Sequence, residues 1–429
     1  MRVTLEQYGN EIIFNLESEE DDDKYLQTTK VGMGANKASI DLGGLQIGEI
    51  HPDLIGLSTI LICHQFIGKE LHLPIEVSPN FLTAANGILS KYKIVSNSNP
   101  DIPPYRPPEN GRPGLAFSGG ADSTAALIVM PGNTIPVFMN RPMSKNSIYD
   151  SDAPLKNCEL LKQMGYDVKI VNCDLEFLRD PVGFPSDIAH AIPLILQAEI
   201  LGVSSIAFGT ILESAYGIGH RKFIDYPNGS HMRFYGGLLA AVGLEISLPV
   251  GGVSEVGTSK IVESSPLGKC SQSCIRGKWG SPCLRCWKCF RKEMVTLALF
   301  PDRKVDLKSM MRNSSEVQIR LSAFPISHEN VVTYSIQRLE KDRYPFLRLL
   351  GNRLDTSLDL DFLDFWYSPS KILIPESYRI SVIEKISGFM DVMTKQHEEI
   401  LEEWDMTDFL DTDDAKKSHS LLTSSWQDL

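Results

Sequence analysis

The chain has 429 residues, 42% of them hydrophobic, with 42 Lys and Arg against 54 Asp and Glu for a net charge of −12. That length suits two or three domains with a core needing no disulfide staples, and the composition excludes wholesale disorder. The acidity excludes a whole-surface nucleic-acid binder, and the longest apolar stretch, 191–202, is broken by Pro193 and Gln197 short of a membrane span of roughly 18 residues.

Residues 1–110 read as an accessory module. Alternating segments at 2–5, 11–14 and 38–42, separated by Gly, Asn and Asp turns, predict strands in a β-rich or mixed module. Glu6 and Gln7 stand where a signal peptide would be apolar, which predicts a cytoplasmic chain. The acidic run from Glu19 to Asp23 reads as a solvated loop. Six prolines between Pro100 and Pro113 stiffen the chain into a linker or strap.

Residues 111–300 alternate short apolar runs with amphipathic ones. Strands are predicted at 115–117, 135–139, 168–173, 205–209 and 245–250, and helices at 123–130, 152–164, 187–201, 234–242 and 254–262. This is an α/β pattern: a parallel five-stranded sheet with helices on both faces. Residues 301–429 turn helical, with segments at 305–311, 327–338, 377–390 and 394–404. The tail, with Asp405, Asp408, Asp411, Asp413 and Asp414, is predicted to fray.

At the first strand-to-helix junction stands Ser118-Gly119-Gly120-Ala121-Asp122-Ser123-Thr124. The glycines let backbone N–H groups approach an anion at a helix N-terminus, and the hydroxyls of Ser118, Ser123 and Thr124 add donors. Asp122 adds negative charge, which suits a Mg2+ ion bridging phosphate oxygens. A Walker loop needs a longer glycine spacing and a Gly-Lys pair, both missing here.

Five of the eight cysteines fall between Cys270 and Cys289. The spacing Cys274-X8-Cys283-X2-Cys286-X2-Cys289 supplies four soft ligands with no open position, hence a structural metal: zinc, or in competition an iron–sulfur cluster. Cys270 reads as a bystander. From Ser264 to Lys292 no residue is acidic, while Lys269, Arg276, Lys278, Arg285, Lys288, Arg291 and Lys292 are basic. This patch could face phosphates, an acidic partner or nucleic acid, or could compensate the thiolates.

The Ser-Gly-Gly-X-Asp-Ser signature resembles that of the PP-loop ATP pyrophosphatases, an adenine nucleotide alpha hydrolase-like fold. With the cysteine spacing and the following Phe290-Arg291-Lys292, residues 112–300 resemble 7-cyano-7-deazaguanine synthase. The resemblance implies ATP cleaved between its α and β phosphates, pyrophosphate held by residues 118–124, adenine contacted near 137–140, and zinc on the four cysteines. It implies adenylation of a small-molecule carboxylate of 7-deazaguanine type, followed by attack of an amine. Asp122, Ser123 and Lys260, the last in Gly257-Thr258-Ser259-Lys260, would be the catalytic residues, with Lys260 starting a helix that faces the phosphates. Glu213, His220 and Arg221 are the substrate candidates, in a run that differs from the family's Tyr-Pro-Asp-Cys-Arg. Relatives with added domains occur in bacterial anti-phage systems, and the modules outside 112–300 suggest a protein or RNA acceptor, or an oligomer. Alternative readings are an RNA-modifying PP-loop enzyme, with Cys173 as the placed thiol, and a nucleotide-bound scaffold or sensor.

Overall fold

The computed structural model of the protein describes residues 1–22, 31–144, 148–219, 222–339, 345–354, 358–407 and 411–424. The N-terminal segments read as strands are β1 (Arg2–Tyr8), β2 (Glu11–Glu17) and β3 (Lys37–Asp41), antiparallel in the order β3-β2-β1. β4 (Glu70–His72) and β5 (Lys93–Val95) extend the sheet in parallel beyond β1. Helices α1 (Pro52–Cys63) and α2 (Pro79–Ile88) make the module mixed. Every residue of α1 after Pro52 is buried. A helix without a polar face has no 3.6-residue period, so its sequence does not announce it. Buried Asp53 accepts hydrogen bonds from the N–H and hydroxyl of Ser78 (2.9 and 2.8 Å) and from the Tyr105 N–H (3.1 Å), which ties the proline strap to α1.

The central sheet is built from β6 (Arg112–Phe117), β7 (Ile135–Asn140), β8 (Lys169–Asn172), β9 (Val203–Ala207) and β10 (Glu245–Ser247). All pairings are parallel, in the order β10-β9-β6-β7-β8. Helices α3 (Ala121–Val129), α4 (Asp152–Gln163), α5 (Ile192–Leu196) and α6 (Glu255–Glu263) accompany it. The chain runs outward from central β6 through β7 and β8, then returns to β9 and β10 on the other side. The connections after β6 and β9 therefore part in opposite directions, which opens a crevice beyond their carboxyl ends.

Two helices are shorter than expected. The span 187–201 holds only a 3-10 turn (Ala189–Ala191) and α5, because residues 197–202 fold back into β9 through Gly202 at φ 62°. The span 234–242 begins as a π-helical turn (Met232–Gly236) and continues as Gly237–Ala240.

The boundary expected at residue 300 crosses a single core. Cys274, Cys289, Phe290 and Met294, the last three on α7 (Trp287–Leu299), pack in one cluster with Met311, Val332 and Phe346. These come from α8 (Leu307–Arg312), α10 (Glu329–Arg338) and α11 (Pro345–Arg353), with α9 (Ser315–Leu321) between the first two. α12 (Arg379–Ser387) lies against α3, and α13 (Lys395–Glu402) follows. The tail does not fray throughout: Asp413–Ser424 is a helix, α14, packed on α11. Asp413 and Asp414 lie in its first turn, where the helix dipole favours negative charge. The N-terminal module is likewise welded to the central sheet, since Ile12, Phe14 and Ile40 share a cluster with Val137, Met139 and Val171. Among the described residues no helix is long and apolar enough to cross a membrane.

Candidate functional site

The loop 118–124 sits between β6 and α3, at the mouth of the crevice. Gly119 has φ 72°, a conformation that L side chains rarely adopt. Its carbonyl accepts from the Asn157 amide (3.1 Å) and the Gln272 N–H (2.8 Å), which fixes the turn from two sides. The Ser123 hydroxyl accepts from the Ser118 N–H (3.2 Å) and donates to the Gly120 carbonyl (3.2 Å), while the Ala121 N–H is held by the Ser273 hydroxyl (3.1 Å). Thr124 is fully buried, one turn into α3. The far wall is Gly209, just beyond β9. A Cβ there would lie 2.6 Å from the Ser123 nitrogen and 2.8 Å from the Asp122 carbonyl carbon. Because both are backbone atoms, Gly209→Ala must push the loop away. If the loop holds a phosphate group, as its sequence leads one to expect, the affinity should fall at least about tenfold in a titration, with the protein still folded.

Asp122 is partly exposed. Its Oδ1 accepts from the Thr258 hydroxyl (3.1 Å) and lies 3.3 Å from the Lys292 ammonium. Lys292 also pairs with Glu255 (3.1 Å), whose other oxygen meets the Arg291 guanidinium (2.7 Å). Burial pushes the Glu255 carboxyl up, but Lys292, Arg291 and His328 outweigh it and hold it far below the carboxylate range. Lys288, one helical turn before Lys292 on α7, reaches the loop as well: its Nζ is 3.7 Å from where a Cβ on Gly120 would stand. Among the described residues no carboxylate lies within ion-pair distance of Lys288. Part of the basic patch seen in sequence is thus folded onto the glycine loop.

Lys260 is placed differently from the sequence expectation. It lies in the last turn of α6, not at its start, and its ammonium pairs with Asp364, which also accepts from the Tyr334 hydroxyl (2.9 and 3.0 Å). Two residues along a helix turn about 200° around its axis, so when Thr258 faces Asp122, Lys260 points away.

Glu213 also does not face a cavity. It is fully buried and accepts from the Glu255 N–H (3.0 and 3.2 Å) and the Asn330 amide (3.3 Å), capping α6. Burial, with the Glu255 charge beside it, raises its carboxyl to about 8, so it is protonated at neutral pH. A carboxyl whose folded pKa is raised contributes stability below its unfolded pKa and loses it as pH rises through about 8. Thermal melts should therefore show Glu213→Gln gaining on wild type as pH rises from about 4.5 to about 8, by up to about 1.4 kcal/mol per pH unit, with the difference levelling off above that. Equal slopes from about pH 5 to about pH 8 would contradict this ionisation. His220 and Arg221 lie outside the described residues.

The sulfurs of Cys274, Cys283, Cys286 and Cys289 lie within 4.8 Å of one another, with Cys283 and Cys289 at 3.9 Å. Tetrahedral zinc–sulfur bonds of about 2.3 Å separate sulfurs by about 3.8 Å, so the group could hold a metal ion such as zinc. Cys286 caps α7 through the Cys289 N–H (3.4 Å), so the helix carrying Lys288 and Lys292 starts at the cluster. Cys270 stays outside, its sulfur against Met164 (3.6 Å). Cys173 is buried in the seam between N-terminal module and sheet, where burial raises its thiol far above the usual range, the opposite of what sulfur transfer needs.

Three cavities lie in series, the first of them against the loop. The first, about 300 Å³, lies between Ser118 and Gly120 on one side and Phe138, Met139 and Arg141 on the other, with Lys288 at its edge. It abuts the end of β7, next to the expected adenine contact. The second, about 390 Å³, is walled by Phe208, Ile224, Tyr226 and Leu248. Asp187 and His190 line both. The third, about 650 Å³, runs between α2 and the π turn, lined by His64, Lys91, Arg233 and Phe234, and shares Ser230 and His231 with the second.

A family of unknown function, DUF6395, matches residues 234–405, which takes in the cysteine cluster and much of the helical region but not the glycine loop. No curated protein and no solved structure matches the chain.

Proposed function

We propose that the protein is an ATP-dependent ligase that adenylates a small carboxylate, releases pyrophosphate and passes the acyl group to an amine. The observation that carries this reading is Lys288, with no carboxylate within ion-pair distance among the described residues, beside a glycine loop at the crevice between β6 and β9. An N–H-rich turn with an ammonium beside it suits a phosphate group. The first cavity would take the adenosine portion and the loop the β and γ phosphates. The second would take the carboxylate substrate, a planar 7-deazaguanine-type ring suiting its apolar walls.

Mg2+ fits at Asp122, whose Oδ2 has no hydrogen-bond or ion-pair partner among the described residues; bound there, the ion would neutralise charge on the phosphate oxygens. Zn2+ on the four cysteines would be structural. The chain's own contribution is positional: Ser118, Gly120 and Ser123 shape the loop, Lys288 and Lys292 offset the pyrophosphate charge, and the sheet ends aim the α phosphate at the second cavity. The flanking modules suggest a protein or RNA as the natural acceptor, a proposal that rests on their size alone.

The test is incubation with α- and γ-labelled ATP, a 7-deazaguanine 7-carboxylate and ammonium. AMP and pyrophosphate should appear together. ADP and phosphate would overturn the reading, and bound ATP with no turnover would favour the nucleotide-bound sensor.

A further inference from the structure

Asp187 occupies a position the glycine loop does not explain. Among the described residues it is the one acidic residue on the wall shared by the first two cavities, where an acyl carbon activated by the α phosphate would have to lie. Its side chain is 70% exposed, so the carboxylate is open to a ligand. Its backbone is pinned all the same, since the Asp187 N–H donates to the Tyr235 hydroxyl (3.3 Å). One carboxylate oxygen lies 3.4 Å from His231 Nε2, and His231 Nδ1 is 2.8 Å from the Tyr226 hydroxyl. The His231 ring packs on Tyr235 with centroids 4.5 Å apart. Tyr226, His231 and Tyr235 thus hold an aspartate in place without covering it. Nothing in ATP binding needs this, because a fixed carboxylate repels phosphate. It suits a group that is positive, or becomes positive during reaction, at the far side of the acyl carbon.

Resting on the ligase reading, we infer that Asp187 is the amine site: it receives the attacking nitrogen and takes its proton, with His231 as the residue that positions it. The neutral amine attacks the acyl carbon of the mixed anhydride, forming the C–N bond. The tetrahedral adduct bears a cationic nitrogen, which gives one proton to the Asp187 carboxylate. The C–O bond to AMP then breaks, AMP leaves with the electron pair, and Asp187 passes the proton to solvent through its exposed face. No oxidant or further reactant is required. The third cavity, reached past Ser230 and His231, is the approach for the amine. Its Lys91 and Arg233 disfavour the ammonium form and select the neutral nucleophile that the attack needs. Neither Asp187 nor His231 stands out in sequence: they are 44 residues apart, in segments without a motif.

The two half-reactions separate cleanly. The first is read as carboxylate-dependent exchange of labelled pyrophosphate into ATP, using the 7-deazaguanine 7-carboxylate. The second is read as amide formation with ammonium chloride in one arm and methylamine in the other, which distinguishes ammonia from a substituted amine as the better nucleophile. Asp187→Asn should lower amide formation at least about a hundredfold more than it lowers exchange, in both arms. Hydroxylamine, reactive without a base, should still trap the acyl group as hydroxamate. His231→Gln should raise the KM for amine at least about fivefold with a smaller change in kcat, a split that simple loss of packing would not produce. If wild type exchanges pyrophosphate and Asp187→Asn forms amide at the full rate, or loses exchange equally while melting normally, the assignment of Asp187 is wrong and the ligase reading stands. If wild type shows no exchange at all, the ligase reading fails and takes this inference with it.

Discussion

Asp122→Asn should lower pyrophosphate release from ATP by at least about a thousandfold while leaving the fold and the cysteine cluster intact. The substitution keeps the side chain's shape but removes the charge that, in the proposed function, would hold Mg2+ against the phosphates. Asp122 also receives the Thr258 hydroxyl and the Lys292 ammonium. An asparagine Oδ1 still accepts both, and Lys292 keeps Glu255 at 3.1 Å, so the buried cation is not stranded. The loss of stability should be at most about 1–2 kcal/mol. Unchanged turnover in Asp122→Asn, measured with saturating Mg2+, would remove Asp122 from the chemistry. Thr258→Val serves as a control, expected to lose far less, because it takes away only a hydrogen bond to the carboxylate.

Cys286→Ser should be the most damaging substitution for the fold. Purified wild type should carry close to one zinc per chain; the variant should lose it and melt more than about 10 °C lower, or aggregate. Cys286 is at once a ligand candidate, the cap of α7 and part of the core that joins α7 to α10 and α11. Structural zinc contributes free energy on the scale of about 10 kcal/mol, comparable with the whole stability of a domain. Because α7 also brings Lys288 and Lys292 to the glycine loop, chelation should weaken ATP binding before global unfolding is complete. An iron-and-sulfide chromophore in place of zinc would overturn the metal assignment.

How much of this was legible in the sequence depended on whether a signal was local. The glycine loop and the cysteine spacing are contained in seven and sixteen residues, and the strand–helix alternation needs only a short window, so each could be read directly. Lys260 and Glu213 were misplaced because a residue type at the right distance along the chain says nothing about which helix face it occupies. Lys288 was visible only as part of a charge patch, although its four-residue spacing to Lys292 was a usable sign of a common helix face. Helix α1 was hidden by uniform burial. Asp187 and His231 could not have been found, since their pairing exists only once the π turn lies against the connection preceding α5.

The continuity of the core from the N-terminal module into the central sheet bears on how a partner could be selected. Modules tethered by flexible linkers search for their target and raise its local concentration. Here Ile40 and Cys173 bridge the seam and Asp53 clamps the proline strap, so the module serves as a fixed wall of the third cavity. A fixed wall measures. If Asp187 is the amine site, an acceptor that seats against α2 could present its nitrogen there only if the distance from contact point to nucleophile matches the depth of the passage. Discrimination would then fall on the length and stiffness of the incoming group, and a substrate one bond too short would bind well and react slowly.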